Sequence, residues 1–223
     1  MTSPCFTGAI KVGFSTIWAT SLSASPAATL TATSAFTPAL NATRDADAGV
    51  RREAAGVLGY LKNPGALPAL AQLAATDPDA DVRRVAVGAL GYGAAVSVQE
   101  PLTRALTDSS WRVREESIAT LGKLRVVSAA PKLIAALDDA YWQVRVKAAQ
   151  ALGVMKITAA VPPLISALNH EISNLRKEAA LALGEIADAR ATGALTRALE
   201  DPDPDVRKLA RRALALISAQ LTA

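Results

Sequence analysis

The sequence predicts an all-α solenoid of about six stacked helical pairs, and three observations carry that prediction. One stretch recurs along the chain. Asp139–Gly153 reads DAYWQVRVKAAQALG, Asp108–Gly122 DSSWRVREESIATLG, Asp77–Gly91 DPDADVRRVAVGALG and Asp201–Ala215 DPDPDVRKLARRALA, with Asp45–Gly59 and His170–Gly184 completing the set. The spacing is fixed: aligned on the apolar-Arg pair, the copies start at Val50, Val82, Val113, Val144, Leu175 and Val206, steps of 32, 31, 31, 31 and 31 residues. A constant period of roughly 20–50 residues marks a repeat array. Within each copy the apolar positions follow one helical stripe: after Val144 come Ala148, Ala151 and Leu152.

The chain opens differently. Residues 1–40 are rich in Ser, Thr and Ala, lack the repeat, and carry no acidic residue. Val12–Leu22 (VGFSTIWATSL) follows Lys11 and precedes SASPA, a faint secretory pattern whose apolar centre is broken by hydroxyl residues. The same composition suits an organelle transit peptide or a leader without order of its own. The expected organisation is a leader over 1–40 and a repeat array over 41–223, with residues 30–43 able to add an imperfect first helix at the end of the array. A cytoplasmic location is favoured, with export or organelle targeting following if residues 1–27 are a cleaved leader.

Each repeat then reads as a helix pair. The first helix is short, with stripes such as Leu133, Ile134 and Leu137 or Leu164, Ile165 and Leu168. Pro101, Pro131 and Pro162 fall near its expected start, where a missing N–H costs little. The second helix begins after an Asp-led turn and carries V-R-x-x-A-A-x-A-L-G. Gly recurs on it at 59, 91, 122, 153 and 184, although Gly in a helix costs about 1 kcal/mol relative to Ala. A neighbouring helix packed too close for a Cβ explains the recurrence. Arg51, Arg83, Arg114, Arg145, Arg176 and Arg207 each follow the first buried residue, six after Asp45, Asp77, Asp108, Asp139, His170 and Asp201. In a stack of like units these form a ladder, each Asp capping its helix and accepting from an Arg.

Composition limits the function classes. Hydrophobic residues make up 51% and aromatics 4%, so the core is mainly Ala, Leu and Val. Of 24 basic residues, Lys11 and Arg44 fall in residues 1–44, which hold no acid; the remaining 22 face 20 acidic residues, so the net charge of +4 is a weak argument for nucleic acid. Cys5 is the only cysteine, which excludes an intrachain disulfide or a thiolate metal cluster. No apolar run approaches the roughly 18 residues needed to span a bilayer.

The D-x4-V-R-x2-A-A-x-A-L-G repeat resembles the short HEAT-like repeat named after phycobilisome lyases, over residues 45 to about 219. The resemblance implies a right-handed solenoid whose V-R helices line a concave face. Members of that family include bilin lyases, deoxyhypusine hydroxylases and adaptors without chemistry. The hydroxylases place His-Glu pairs directly after the V-R to hold two irons. Here the pairs are Arg52-Glu53, Arg84-Val85, Glu115-Glu116, Val146-Lys147, Lys177-Glu178 and Lys208-Leu209, none with a His. A non-haem iron site needs nitrogen donors alongside carboxylates, so no metal or cofactor is expected. His170, the only histidine, stands in a ladder position, away from any Ser or Cys nucleophile arrangement.

The remaining constellation is a surface one. Trp111 and Trp142 occupy the same place in adjacent repeats, with Tyr141 beside the second; Glu115, Glu116, Val146, Lys147 and Gln150 follow on the same faces. Exposed aromatics rimmed by charges of both signs suit a protein partner better than a uniform phosphate groove. The alternative is that each Trp only packs over its own turn, and the basic end at Lys177, Lys208, Arg211 and Arg212 then becomes the candidate. The expected function is a non-enzymatic protein-binding scaffold, adaptor or assembly factor. A bilin-lyase-type or hydroxylase-like enzyme subunit is the second reading.

Overall fold

The computed structural model describes residues 32–221, and every regular element among them is helical. The expected leader lies outside them up to residue 31. The array itself reaches back to Ala32, inside the stretch that composition set apart.

Six pairs follow in order. Helices α1 (Ala32–Ala42) and α2 (Ala48–Leu61) form the first, α3 (Leu67–Thr76) and α4 (Ala80–Leu90) the second, α5 (Ala95–Ala105) and α6 (Trp111–Lys123) the third. The last three are α7 (Ala130–Ala135) with α8 (Trp142–Val154), α9 (Val161–Ala167) with α10 (Ser173–Ile186), and α11 (Thr192–Arg197) with α12 (Pro204–Leu221). Within each pair the two helices pack on each other, and each second helix also packs on the second helix before and after it. The second helices therefore make one continuous layer. Leu58, Leu90, Leu121, Leu152 and Leu183, one in each of the first five repeats, are fully buried between that layer and the first helices.

Pro68, Pro131 and Pro162 sit in the first turn of their helices, where no intrahelical N–H is lost. Pro101 does not. In that repeat the first helix starts early, at Ala95, and Pro101 lies inside it, at the cost of one backbone hydrogen bond. Four second helices or their following turns end in a left-handed residue that is not glycine: Lys62, Arg125, Lys156 and Ala187, with φ of 52°, 52°, 55° and 56°.

Four of the five recurrent glycines are explained by the stack; Gly91 instead lies just past the end of α4 and faces the Thr120 methyl. A Cβ on Gly153 would lie 2.7 Å from the Cα of Ala182, and one on Gly184 2.9 Å from the Cα of Ala213. Gly59 meets Ala89 and Gly122 meets Ala151 in the same way. A small residue on one helix faces a glycine on its neighbour, so the second helices approach backbone to backbone.

Candidate functional site

The ladder fixes the edge on which the candidate site stands. It runs between repeats, not within one. Arg51 grips Asp77 through Nε and Nη2 at 2.7 and 2.9 Å, and Arg83 grips Asp108 at the same distances. Arg114 holds Asp139 at 2.7 and 2.8 Å, and Arg176 holds Asp201 at 2.8 and 2.9 Å. The third arm of each guanidinium turns back to its own repeat: Arg114 Nη1 donates to the Asp108 carbonyl at 2.7 Å and Arg207 Nη1 to the Asp201 carbonyl at 2.7 Å. One side chain thus ties its own turn to the next.

Two expectations change as a result. Asp139 answers Arg114, and Arg145 donates instead to the Asp139 carbonyl and to His170 Nε2 at 2.8 Å. The Asp ahead of each second helix does not cap that helix itself; it accepts from the N–H two residues on, as Asp77 does from Asp79 at 3.0 Å and Asp201 from Asp203 at 2.9 Å. The caps are those second residues where they are acidic, Asp47, Asp79 and Asp203, whose side chains accept from the first helical turn. Geometry explains the shift: the ladder Asp points along the stack toward the preceding repeat's Arg, leaving the helix end to the residue behind it. Burial pushes the Asp77, Asp108 and Asp139 carboxyls up, but the arginine and backbone hydrogen bonds outweigh it and hold all three below the usual carboxylate range.

Trp111 and Trp142 open α6 and α8 directly beside that ladder. The structure brings Trp111 against Tyr141 of the next repeat, with ring centroids 5.9 Å apart and planes 18° from parallel. Arg112 lies over Trp111 at 5.1 Å, and the ladder residue Arg114 lies over Tyr141 at 5.6 Å. Trp111 is half-buried by this packing, whereas Trp142 keeps 39% and Tyr141 45% of their surface exposed. The two tryptophans are therefore not equivalent.

Below the aromatics, the second-helix layer carries charges of alternating sign. The Glu116 carboxylate lies over Gly88, where a Cβ would come within 2.8 Å of it. Burial raises the Glu116 pKa, with Arg84, Lys147 and Lys123 opposing and Glu115 adding to the rise. Burial likewise raises Glu178, with Glu185 adding and Lys147 opposing. Lys147 donates to Gln150 at 3.1 Å, and Val146 is partly buried against the core. Toward the basic end, Lys177 is drawn to Asp203 at 3.3 Å, while Lys208, Arg211 and Arg212 remain exposed. Among the described residues no His, Cys, Asp or Glu side chains gather as a metal-binding group, and no helix is long and apolar enough to cross a membrane.

Sequence reasoning missed a second aromatic feature at the opposite edge. Tyr60 is 82% exposed and Tyr92 49% exposed, the latter with Lys62 and Lys123 over its ring. The two tyrosines are one repeat apart, the same 32 residues that separate Val50 from Val82, so the repeat alignment could have found them.

The HEAT-repeat profile matches residues 33–92, 72–141 and 130–215. The chain belongs to the HEAT-repeat family. No protein of curated function matches its sequence. Among solved structures, it is similar to the complex of CpcE and CpcF of phycocyanin lyase from Nostoc sp. PCC7120, with 26% identity and a TM-score of 0.62 over 82% of this chain and 76% of that one. An engineered protein superposes with a TM-score of 0.63 at 23% identity, covering 82% of this chain and 96% of its own. A designed armadillo repeat protein in complex with the peptide (KR)4 gives 0.61 at 22% identity, over 80% and 98% of the two chains. The last two share the fold alone.

Proposed function

We propose that this HEAT-repeat protein is a non-enzymatic scaffold or assembly factor that binds a protein partner along the face of its second-helix layer. Trp142, Tyr141 and Trp111 anchor the partner, and Glu115, Glu116, Val146, Lys147 and Gln150 form the surrounding floor. The observation that supports the reading is Trp142. It is a large aromatic, 39% exposed on a rigid helix start, beside a second exposed aromatic and charges of both signs. Such flat anchors, rimmed by polar groups, are where interfaces concentrate their energy. The aligned ladder supports the role too, since it holds the anchors on elements that cannot shift independently.

Trp142→Ala is expected to weaken capture of partners by about 2 kcal/mol while the melting midpoint barely moves. Trp111→Ala, which also breaks the stack on Tyr141, is expected to lower both. Affinity capture with mass spectrometry, alongside thermal melts, separates the two. A Trp142→Ala protein that retains every wild-type partner rejects this site and transfers the proposal to Lys208, Arg211 and Arg212.

A second reading rests on the likeness to the phycocyanin lyase complex. If this chain is a bilin-lyase-type subunit, it binds a second solenoid, and the purified pair carries an absorbing tetrapyrrole. An absorbance spectrum of the co-purified complex tests it.

A further inference from the structure

The second helices all run the same way, so their C-terminal ends line one edge of the array, opposite the ladder. We propose that this edge, over the first four repeats, is a separate docking surface for an extended acidic peptide. Position for position, its residues come from two rows of the repeat. Tyr60, Tyr92 and Lys123 follow their V-R valines by ten residues, and Lys62, Arg125 and Lys156 by twelve.

The rows are contiguous in space. Lys62 of the first repeat and Lys123 of the third both reach the Tyr92 ring of the second, at 5.2 and 4.6 Å from its centroid. Arg125 and Lys156 then line a single groove farther along, with Val154 on its wall. All four cations are exposed. Attraction to the helix C-termini accounts for a basic residue at such ends, but it does not account for Tyr60, which is 82% exposed.

Over the first four repeats the edge carries no opposing charge; the first acid in these rows is Glu185, in the fifth. Segments 54–76, 82–99, 117–137 and 140–170, which carry the helix ends and the turns after them, contain no Asp or Glu. The acids of these repeats sit mostly at the ladder edge and on the first turns of the second helices. The array is therefore polarised across its width, and a chain of negative charge is guided to one side. Four repeats stacked about 10 Å apart put roughly 30 Å between the first and fourth, the span of about nine extended residues.

A peptide fits better than a single-stranded nucleic acid. Stacking successive bases needs a series of open aromatic faces, and here only Tyr60 offers one, since both lysines lie over Tyr92. The groove beyond Arg125 and Lys156 also includes Glu185. A phosphodiester must place a charge at every unit, whereas a peptide can place a neutral residue there.

Fluorescence anisotropy with fluorescein-labelled decaglutamate at low salt tests the proposal. The wild type is expected to bind, and Lys62→Gln, Lys123→Gln, Arg125→Gln, Lys156→Gln combined to bind at least about tenfold more weakly. A control of equal net charge, Arg52→Gln, Arg104→Gln, Arg211→Gln, Arg212→Gln, is expected to lose far less. Tyr60→Ser alone, at a site exposed enough to leave folding untouched, is expected to weaken binding as well. Circular dichroism checks each variant. Equal losses in the two quadruple variants, or no binding by the wild type, overturn the proposal. Labelled decathymidylate that binds more tightly, and is released by the same four changes, replaces the peptide with nucleic acid. This surface is independent of the tryptophan ridge, so failure of either leaves the other standing.

Discussion

His170 shows most clearly what one side chain does in this array. The ladder site it occupies presents two donors: the Ile172 N–H faces Nδ1 at 3.1 Å and Arg145 Nη1 faces Nε2 at 2.8 Å. A carboxylate accepts both. A neutral imidazole carries a proton on one nitrogen, so one of the two contacts is donor against donor. His170→Asp is therefore expected to raise the melting midpoint, adding about 1–3 kcal/mol by restoring a charged bidentate pair. Two arginine variants extend the comparison. Arg114→Ala strands the half-buried Asp139 carboxylate and is expected to cost about 1–3 kcal/mol. Arg145→Ala strands only the histidine and a carbonyl, and its cost should be visibly smaller. Equal losses in chemical denaturation would mean that pairing between repeats is not what the arginines contribute.

At the scale of the helix, the decisive feature is how closely the second helices approach. Gly153 faces the backbone of Ala182 at a would-be Cβ distance of 2.7 Å, while Gly56, on the solvent side of α2, meets nothing nearer than 4.0 Å. Alanine improves helix propensity by about 1 kcal/mol at either position. At Gly56 that gain should appear in full. At Gly153 the new methyl has to push two helices apart, an overpacking cost of about 1–3 kcal/mol, so Gly153→Ala is expected to destabilise. Thermal melts of the pair give opposite signs if the close approach is real. The polar outer face of α12 belongs to the same scale: Arg211 is exposed where Ala55, Val87, Ile118, Ala149 and Ala180 are fully buried in the other repeats. A charged residue in that place suits the capping unit of a stack.

For the whole molecule, the titrating groups make stability depend on pH in two opposed ways. The ladder carboxylates Asp77, Asp108, Asp139 and Asp201 have folded pKa values below their ordinary range. Their contribution is present above the unfolded value of about 3.9 and is lost as pH falls through the lower folded values. Glu116 and Glu178 are shifted upward by burial. Their ionisation weakens the fold above the raised values, and the penalty is gone below about 4.3. Glu116→Gln and Glu178→Gln are thus expected to melt higher than wild type at pH 7, with the difference vanishing near pH 4. Midpoints measured across that range check the sign. Because each ladder pair joins one repeat to the next, acid should loosen the stack at its joints before the individual helices.

The sequence by itself determined the helical pairs, their number and their order, because a strict period repeats the same buried stripe and the same turn six times. It also marked the glycines, since an unfavourable residue kept at one helical position means a close neighbour. It could not say which Asp an Arg would grip. The choice between its own repeat and the next, a separation of 6 against 25 or 26 residues along the chain, depends on the offset between stacked units, and only tertiary packing sets that. The same offset brings Tyr141 onto Trp111 and leaves Trp142 exposed, although the two tryptophans look identical in the repeat. It also gathers Lys62, Tyr92 and Lys123, from three repeats, into one edge. Helices are specified by neighbours three and four residues away, but surfaces of a solenoid are built from residues one period apart, and the stacking geometry decides which of those meet.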